Sequence, residues 1–294
     1  MPVLSYTKIM LNNENRRVSV IIPAYNEESK IGEVLDKLAA VIGQNGEIIV
    51  VDDGSSDRTA EIAKTSGACL IQNERNKGYG ASLKEGIRQA QYDLIAITDA
   101  DGTYPVERIP EFVNFIGDYD MVVGARNGGH VKIPLVRRPA KWILGQYANY
   151  LVRGKIPDLN SGLRVFKKDV FEKFQNFLPD GFSFTTTITL ALLSNNYRVK
   201  YISIDYFERE GKSKIRPIRD TINFFSLITR TSLYFNPLRV FMPVSIFFLT
   251  AGFILLAYEV FIAKDITDKT MMLFLWGMQF GVIGLLADML SKRK

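Results

Sequence analysis

Two aliphatic runs in this sequence end in acid: "EIIVVDDGSSD" carries Asp52 and Asp53, and "DLIAITDADGTYP" carries Asp99 and Asp101. A carboxylate at the end of a buried strand either shapes a turn or binds a ligand, because an unpartnered charge in apolar surroundings is costly. In an extended segment residues i and i+2 point the same way. Asp99 and Asp101 can therefore share a divalent cation through hard oxygen ligands, or divide its duties with a ribose hydroxyl. Asp52 fits a ligand role or the cap of the following turn equally well. The chain has one histidine, His130, and one cysteine, Cys69. A metal here must be held mainly by oxygen, which disfavours zinc. Cys69 sits in the strand-like "ACLIQ" and reads as a buried, inert thiol with no internal disulfide open to it.

The elements that must position these acids are legible as alternating patterns. "VSVIIPAY", "EIIVVDDG", "ACLIQ", "YDLIAITD" and "YDMVVGAR" read as strands, apolar almost throughout, as parallel strands covered on both faces are. Between the first two, Ile31, Leu35, Leu38 and Ile42 recur at helical spacing; "SSDRTAEIAK" and "GYGASLKEGIRQA" read as further helices. This is an α/β, Rossmann-like, doubly wound and mostly parallel sheet, in which ligands bind at the carboxyl ends of the strands. Asp52, Asp53, Asp99 and Asp101 would gather on that rim.

The rest of the chain points to a membrane. Residues 135–152 combine Trp142, Ile143, Tyr147, Tyr150 and Leu151 with Arg137, Arg138 and Lys141, a helix suited either to a membrane surface or to packing on the domain. Residues 216–241 have the same character. Residues 242–263 and 271–290 are each predominantly apolar and long enough to cross a bilayer core, for which roughly 20 residues suffice. The loop between them, "KDITDKT", balances its charges, whereas Arg230, Arg239 and the terminal "KRK" are basic, so both ends of the hairpin are expected in the cytoplasm. No secretory leader is expected in residues 1–17, which lack an apolar core. The domains then read as an extension (1–17), a catalytic domain (18–215), an interfacial segment (216–241) and a hairpin (242–294). Net charge is only +6, more a solvated surface than a polyanion-binding face, and no nucleic-acid partner is expected. Gly277, Gly281 and Gly284 could let hairpins of two copies pack into a homo-oligomer.

Taken together, "IIPAYNEESKIGEV", "VVDDGSSDRTAEIA", "NKGYGASLKEG", "TDADGTYP", "GAR" and "DLNSGLRVFKKDV" resemble the family 2 glycosyltransferases of the GT-A fold, and among them the polyprenyl-phosphate, dolichol-phosphate mannose synthase-like group. The resemblance spans roughly Val18 to Phe241, and the hairpin matches members that carry such an anchor. It implies an inverting, non-processive transfer from a nucleotide-diphosphate sugar, GDP-mannose or a UDP-hexose, to a dolichyl or undecaprenyl phosphate. Pro23, Tyr25 and Glu27 would line the nucleotide base and Asp53 would bond it, with Asp52, Arg75, Lys77, Gly78 and Ala100 beside the donor; Asp99 and Asp101 would hold Mg2+ or Mn2+ against the diphosphate.

A lipid-phosphate acceptor needs cations, and Arg126, Arg137, Arg138, Arg164, Arg209, Lys212 and Lys214 are the candidates, with Ser161 beside them. Relatives that act on sugar hydroxyls place a carboxylate base after the D-x-D, and processive synthases add Q-x-x-R-W. Here "GFSFTTTITLALL" contains no acid and Q-x-x-R-W is absent. Asp158 is the one nearby acid left to orient the acceptor or bind the sugar. A phosphate nucleophile is anionic at neutral pH without a base. A glycolipid or cell-wall glycan acceptor, and a non-catalytic nucleotide-sugar-binding membrane protein, are the alternatives.

Overall fold

The computed structural model describes residues 16–127, 138–207 and 217–292. Seven strands make one sheet: β1 (Val18–Ala24), β2 (Gly46–Asp52), β3 (Cys69–Gln72), β4 (Leu94–Ile97), β5 (Met121–Ala125), β6 (Arg164–Lys167) and β7 (Val199–Ser203), in the order β3-β2-β1-β4-β6-β5-β7. β1 pairs in parallel with β2 and β4, β2 with β3, and β5 with β7, while β6 runs antiparallel between β4 and β5. Helices α1 (Ile31–Ile42), α2 (Thr59–Thr65), α3 (Tyr79–Gln89) and α4 (Ile109–Phe115) connect the first five strands. Val20, Ile22, Val50 and Val122 point into a core shared with Ile31, Leu35 and Leu38 of α1 and Phe112 of α4. Ile21, Val51, Ile95 and Ile97 are equally buried. Burial on both faces is why these strands carry no polar alternation.

Pro23 sits in a central strand, an unusual place for a residue without an N–H. It is tolerated because the β1–β4 ladder has ended by then, its last pair being Ile21 with Ile97. Cys69 is exposed, contrary to expectation. It opens β3, the edge strand, which pairs only with β2 and therefore lacks a neighbour on its other side.

After β5 come α5 (Arg138–Val152), β6, α6 (Lys168–Phe174), α7 (Phe184–Ser194) and β7, and then α8 (Pro217–Phe235), α9 (Pro237–Tyr258) and α10 (Asp268–Ser291). The residues fall into two compact units. One comprises the described parts of Met1–Pro139 and Lys155–Arg216; the other comprises Ala140–Gly154 with Pro217–Lys294. α5 thus belongs with the C-terminal helices and not with the sheet whose sequence surrounds it.

In the second unit Tyr147 of α5 stacks on Phe225 of α8, with ring centroids 4.9 Å apart, and shares a 3.0 Å hydrogen bond with Thr229. Arg239 of α9 donates to the carbonyls of Tyr150 (3.2 Å) and Leu151 (2.6 Å), satisfying acceptors at the end of α5. The chain breaks between α8 and α9 at Asn236, and α9 starts on Pro237, five residues before the expected Met242. It continues through a π-turn, Glu259–Ala263. The span Pro237–Ala263 and α10 are each long and apolar enough to cross a membrane, and little of either is buried. The glycines expected to serve contacts between copies are used inside the hairpin. A Cβ on Gly277 would lie 2.7 Å from the Leu249 side chain and one on Gly284 2.8 Å from Phe241 Cβ, and Ser245 Oγ donates to the Gly277 carbonyl at 2.6 Å.

Candidate active site

The loops after β1 and β2 are laced together. Asn26 N donates to Ser55 Oγ (2.9 Å), Ser56 N to Asn26 Oδ1 (2.8 Å), Glu27 N to Thr59 Oγ1 (2.9 Å) and Arg58 N to Glu28 Oε2 (3.0 Å). Tyr25 stands out of this lattice, about half exposed at 49%. Asp52 is fully buried; its Oδ1 accepts from Ser55 N and Ser55 Oγ, so it caps the turn. Its Oδ2 has no hydrogen-bond partner among the described residues. Asp53 is buried too. Its Oδ1 accepts from Asn73 Nδ2 (2.9 Å) and Lys77 N (2.9 Å), and its Oδ2 from Gly78 N (2.8 Å). Asp53 therefore pins the β3–α3 loop, a task the sequence reading did not assign to it. On that loop Arg75 and Lys77 are exposed, and Lys77 Nζ donates to Asn73 Oδ1 at 2.8 Å.

The second acid pair is presented differently. β4 ends at Ile97, so Asp99 and Asp101 lie in a turn, not in the extended segment expected. Both are half-buried and flank the buried Ala100. Asp101 Oδ1 accepts from Thr103 N (3.1 Å) and Thr103 Oγ1 (2.6 Å). Asp99 Oδ1 accepts from the Tyr79 hydroxyl at 2.9 Å. Burial, and then the Asp99 carboxylate, pushes the Tyr79 phenol well above its ordinary range, so it remains a donor. Across from Tyr79, a Cβ on Gly162 would lie 2.8 and 2.9 Å from the two Asp99 oxygens, so only glycine leaves the carboxylate its place. Gly162 N donates to the Tyr104 hydroxyl at 2.7 Å.

These two carboxylates fit a hard divalent cation: paired oxygen donors, half-exposed, one of them in a cradle that a methyl group would fill. No cluster of three or more His, Cys, Asp or Glu that could hold a metal occurs among the described residues.

The acceptor-side residues divide. Arg126 and Asp158 form a two-pronged pair, Nε to Oδ2 at 2.7 Å and Nη2 to Oδ1 at 3.0 Å, with Arg126 N also donating to Oδ2 at 3.1 Å. Burial alone would raise the Asp158 pKa, but the Arg126 guanidinium outweighs it and holds the carboxyl below its usual range. Arg164 must be removed from the phosphate-binding candidates. It is completely buried on β6, and its guanidinium donates to the carbonyls of Ser161 and Thr185 and to Thr189 Oγ1. It braces the backbone before β6 and cannot meet a lipid headgroup. Ser161 is likewise buried, with no partner for its Oγ among the described residues. Arg137, Arg209, Lys212 and Lys214 lie outside the described residues, as does the side chain of Arg138. Tyr79, Tyr104 and Gly162 were missed by the sequence reading. "NKGYG" signalled a loop at a strand end, but nothing in it marked its tyrosine as a partner for an acid twenty residues on.

Comparison with known proteins gives a consistent picture. Residues 19–175 match the family model for glycosyl transferase family 2, and residues 236–292 the GtrB C-terminal hairpin. A dolichyl-phosphate hexose transferase of Haloferax volcanii is 31% identical over 202 residues, covering 68% of this chain and 87% of the relative. An undecaprenyl-phosphate 4-deoxy-4-formamido-L-arabinose transferase of Photorhabdus laumondii is 28% identical and covers 94% of this chain and 89% of its own length. The fold is shared with glucosyl-3-phosphoglycerate synthase of Mycobacterium tuberculosis, crystallised with Mn2+, UDP and glucosyl-3-phosphoglycerate. That likeness has a TM-score of 0.61 at 19% identity, over 79% of this chain and 85% of the other.

Proposed function

Because the chain belongs to glycosyl transferase family 2 and is a glycosyltransferase, we propose that it moves a hexose from a nucleotide-diphosphate sugar, GDP-mannose or a UDP-hexose, to a polyprenyl phosphate, dolichyl or undecaprenyl. Pro23, Tyr25 and Glu27 would take the base end of the donor, with Ala100 beside its diphosphate and Arg75, Lys77 and Gly78 there too, on a loop that Asp53 holds in place. Asp99 and Asp101 would hold Mg2+ or Mn2+, which when bound neutralises charge on the departing nucleoside diphosphate. A phosphate oxygen of the acceptor bonds to the anomeric carbon as the bond to the nucleoside diphosphate breaks, inverting that centre.

The observation that carries the choice of acceptor is Asp158. Both of its oxygens accept from Arg126 and its pKa is lowered, so it is a poor proton acceptor. α7 offers no acid either. A hydroxyl acceptor would need a base, whereas a phosphate monoester, with a second pKa of about 6, arrives already anionic. The names of the Haloferax and Photorhabdus relatives support the same acceptor class. Arg126, together with Arg137, Arg138, Arg209, Lys212 and Lys214, would supply the cations for that phosphate. The hairpin would hold the enzyme at the bilayer where the acceptor's tail resides, with both of its ends on the basic, cytoplasmic side.

The test is to incubate the full chain in membranes with labelled GDP-mannose and UDP-hexoses, adding either a polyprenyl phosphate or the corresponding unphosphorylated polyprenol. Label entering the organic phase only with the phosphate, and lost with EDTA, is the expected result. Equal transfer with the unphosphorylated polyprenol, or into lipid with neither addition, would overturn the acceptor assignment.

A further inference from the structure

The segment flagged for its lack of a base, Gly181–Leu193, is led in by Pro179 and Asp180, and the loop they form with its first residues reaches Asp99 by another route. The loop lies on the start of α3. Ala81 N donates to the Asp180 carbonyl at 3.0 Å, and Lys84 Nζ pairs with Asp180 Oδ1 at 2.8 Å. The approach depends on two glycines: a Cβ on Gly80 would lie 2.2 Å from the Pro179 carbonyl oxygen, and one on Gly78, which has φ +104°, would lie 2.6 Å from the Asp180 carbonyl oxygen. So seated, the loop lays the ring of Phe182 flat on that of Tyr79, with centroids 5.5 Å apart and planes 15° apart. Phe182 is otherwise 85% exposed, a conspicuous position for a large apolar ring. Tyr79 in turn donates its hydroxyl to Asp99 Oδ1 at 2.9 Å.

The geometry points to Tyr79 as a positioning residue for the metal-binding carboxylate Asp99, with Phe182 as the wall that fixes the tyrosine ring. This inference rests on the metal role proposed for Asp99. A carboxylate ligand is worth most when its rotation is fixed before the ion arrives, and outer partners of metal ligands typically change affinity by about 10–100-fold when removed. Two features define the place of Asp99: Gly162 leaves it room that a Cβ, 2.8 Å from one of its oxygens, would take, and the Tyr79 hydroxyl holds it by a directed hydrogen bond. Tyr79 is tied to Phe182 by stacking, an arrangement favourable beyond simple burial. The acid-free segment would then contribute to catalysis by way of the metal site, without supplying a base.

The experiment measures Mn2+ binding to the detergent-solubilised full chain by the loss of the free-ion paramagnetic signal, at saturating UDP and separately GDP. Tyr79→Phe keeps the ring and its stacking and removes only the hydroxyl; its Mn2+ dissociation constant should rise about tenfold. Phe182→Ala, at an exposed position that threatens the fold little, should raise it about threefold, and Phe182→Tyr should restore it. In sugar transfer, added Mn2+ should recover most of the Tyr79→Phe turnover, as weakened metal binding requires. An unchanged Mn2+ dissociation constant in Tyr79→Phe, beside abolished binding in Asp99→Asn, would overturn this inference and leave the metal site intact. Unchanged binding in Asp99→Asn would instead overturn the metal site itself.

Discussion

The acids after β2 and the acids after β4 look alike in sequence and are used in opposite ways. Asp52 and Asp53 are buried and turned inward, spending their oxygens on Ser55, Asn73 and the backbone of Lys77 and Gly78. Asp99 and Asp101 are half-exposed, steadied by one hydroxyl from Tyr79 and one from Thr103. The first pair builds the loops of the rim, and the second presents oxygen to whatever binds there. Position along the strand does not decide between these uses. The depth at which each carboxylate is buried does.

The sharpest way to break this contrast is to neutralise one acid of each kind. Asp101→Asn retains the turn to Thr103 but loses the charge, and sugar transfer should fall by roughly 10³-fold, the loss of several kcal/mol of metal-borne charge stabilisation, with little change in melting temperature. Transfer rates and thermal melting on the same sample separate the two effects. Next in size is Arg126→Ala, which strands the largely covered Asp158, its side chain 10% exposed, and should cost about 3 kcal/mol of stability. Replacing both partners should cost less than that single change. Since the folded Asp158 pKa is lowered, the pair's contribution is full above the ordinary carboxylate pKa of about 4 and is lost as pH falls through the folded value. The melting difference between the native chain and Asp158→Asn should accordingly shrink below about pH 4. Asp53→Asn, which weakens three accepted hydrogen bonds, should cost about 2 kcal/mol, seen as a melting temperature lower by roughly 5 °C. Smallest is Asp52→Asn, at about 1 kcal/mol, since only the Ser55 turn depends on it. If Asp52→Asn abolished transfer without loss of stability, the inward-facing description of that pair would fail.

Much of this was legible in the sequence because burial on both faces leaves an unmistakable aliphatic signature, and β1, β2, β4 and β5 carry it, while the edge strand β3 is apolar without being buried. β6 does not carry it. Two of its four residues are basic, and Arg164 reads as a surface cation until the fold brings Ser161, Thr185 and Thr189 around it. The acids at the strand ends were found by type and spacing. What could not be read was which of them are already satisfied, because their partners come from other loops: Asn73 for Asp53, Arg126 for Asp158, Tyr79 for Asp99. The hairpin was visible from length and hydropathy alone, though its first helix starts earlier than apolarity suggests because Pro237 is a good first residue of a helix.

The placement of α5 has a practical corollary for anyone wishing to study the sheet without the lipid-seeking helices. Cutting the chain at Arg216 removes α8, α9 and α10 but leaves Arg138–Val152 behind, because that helix is encoded between β5 and β6. Tyr147 would lose Phe225 and Thr229, the last carbonyls of the helix would lose Arg239, and an amphipathic helix would be left without the partners of its own unit. A soluble version has to excise this segment as well, joining the chain across two seams and not one.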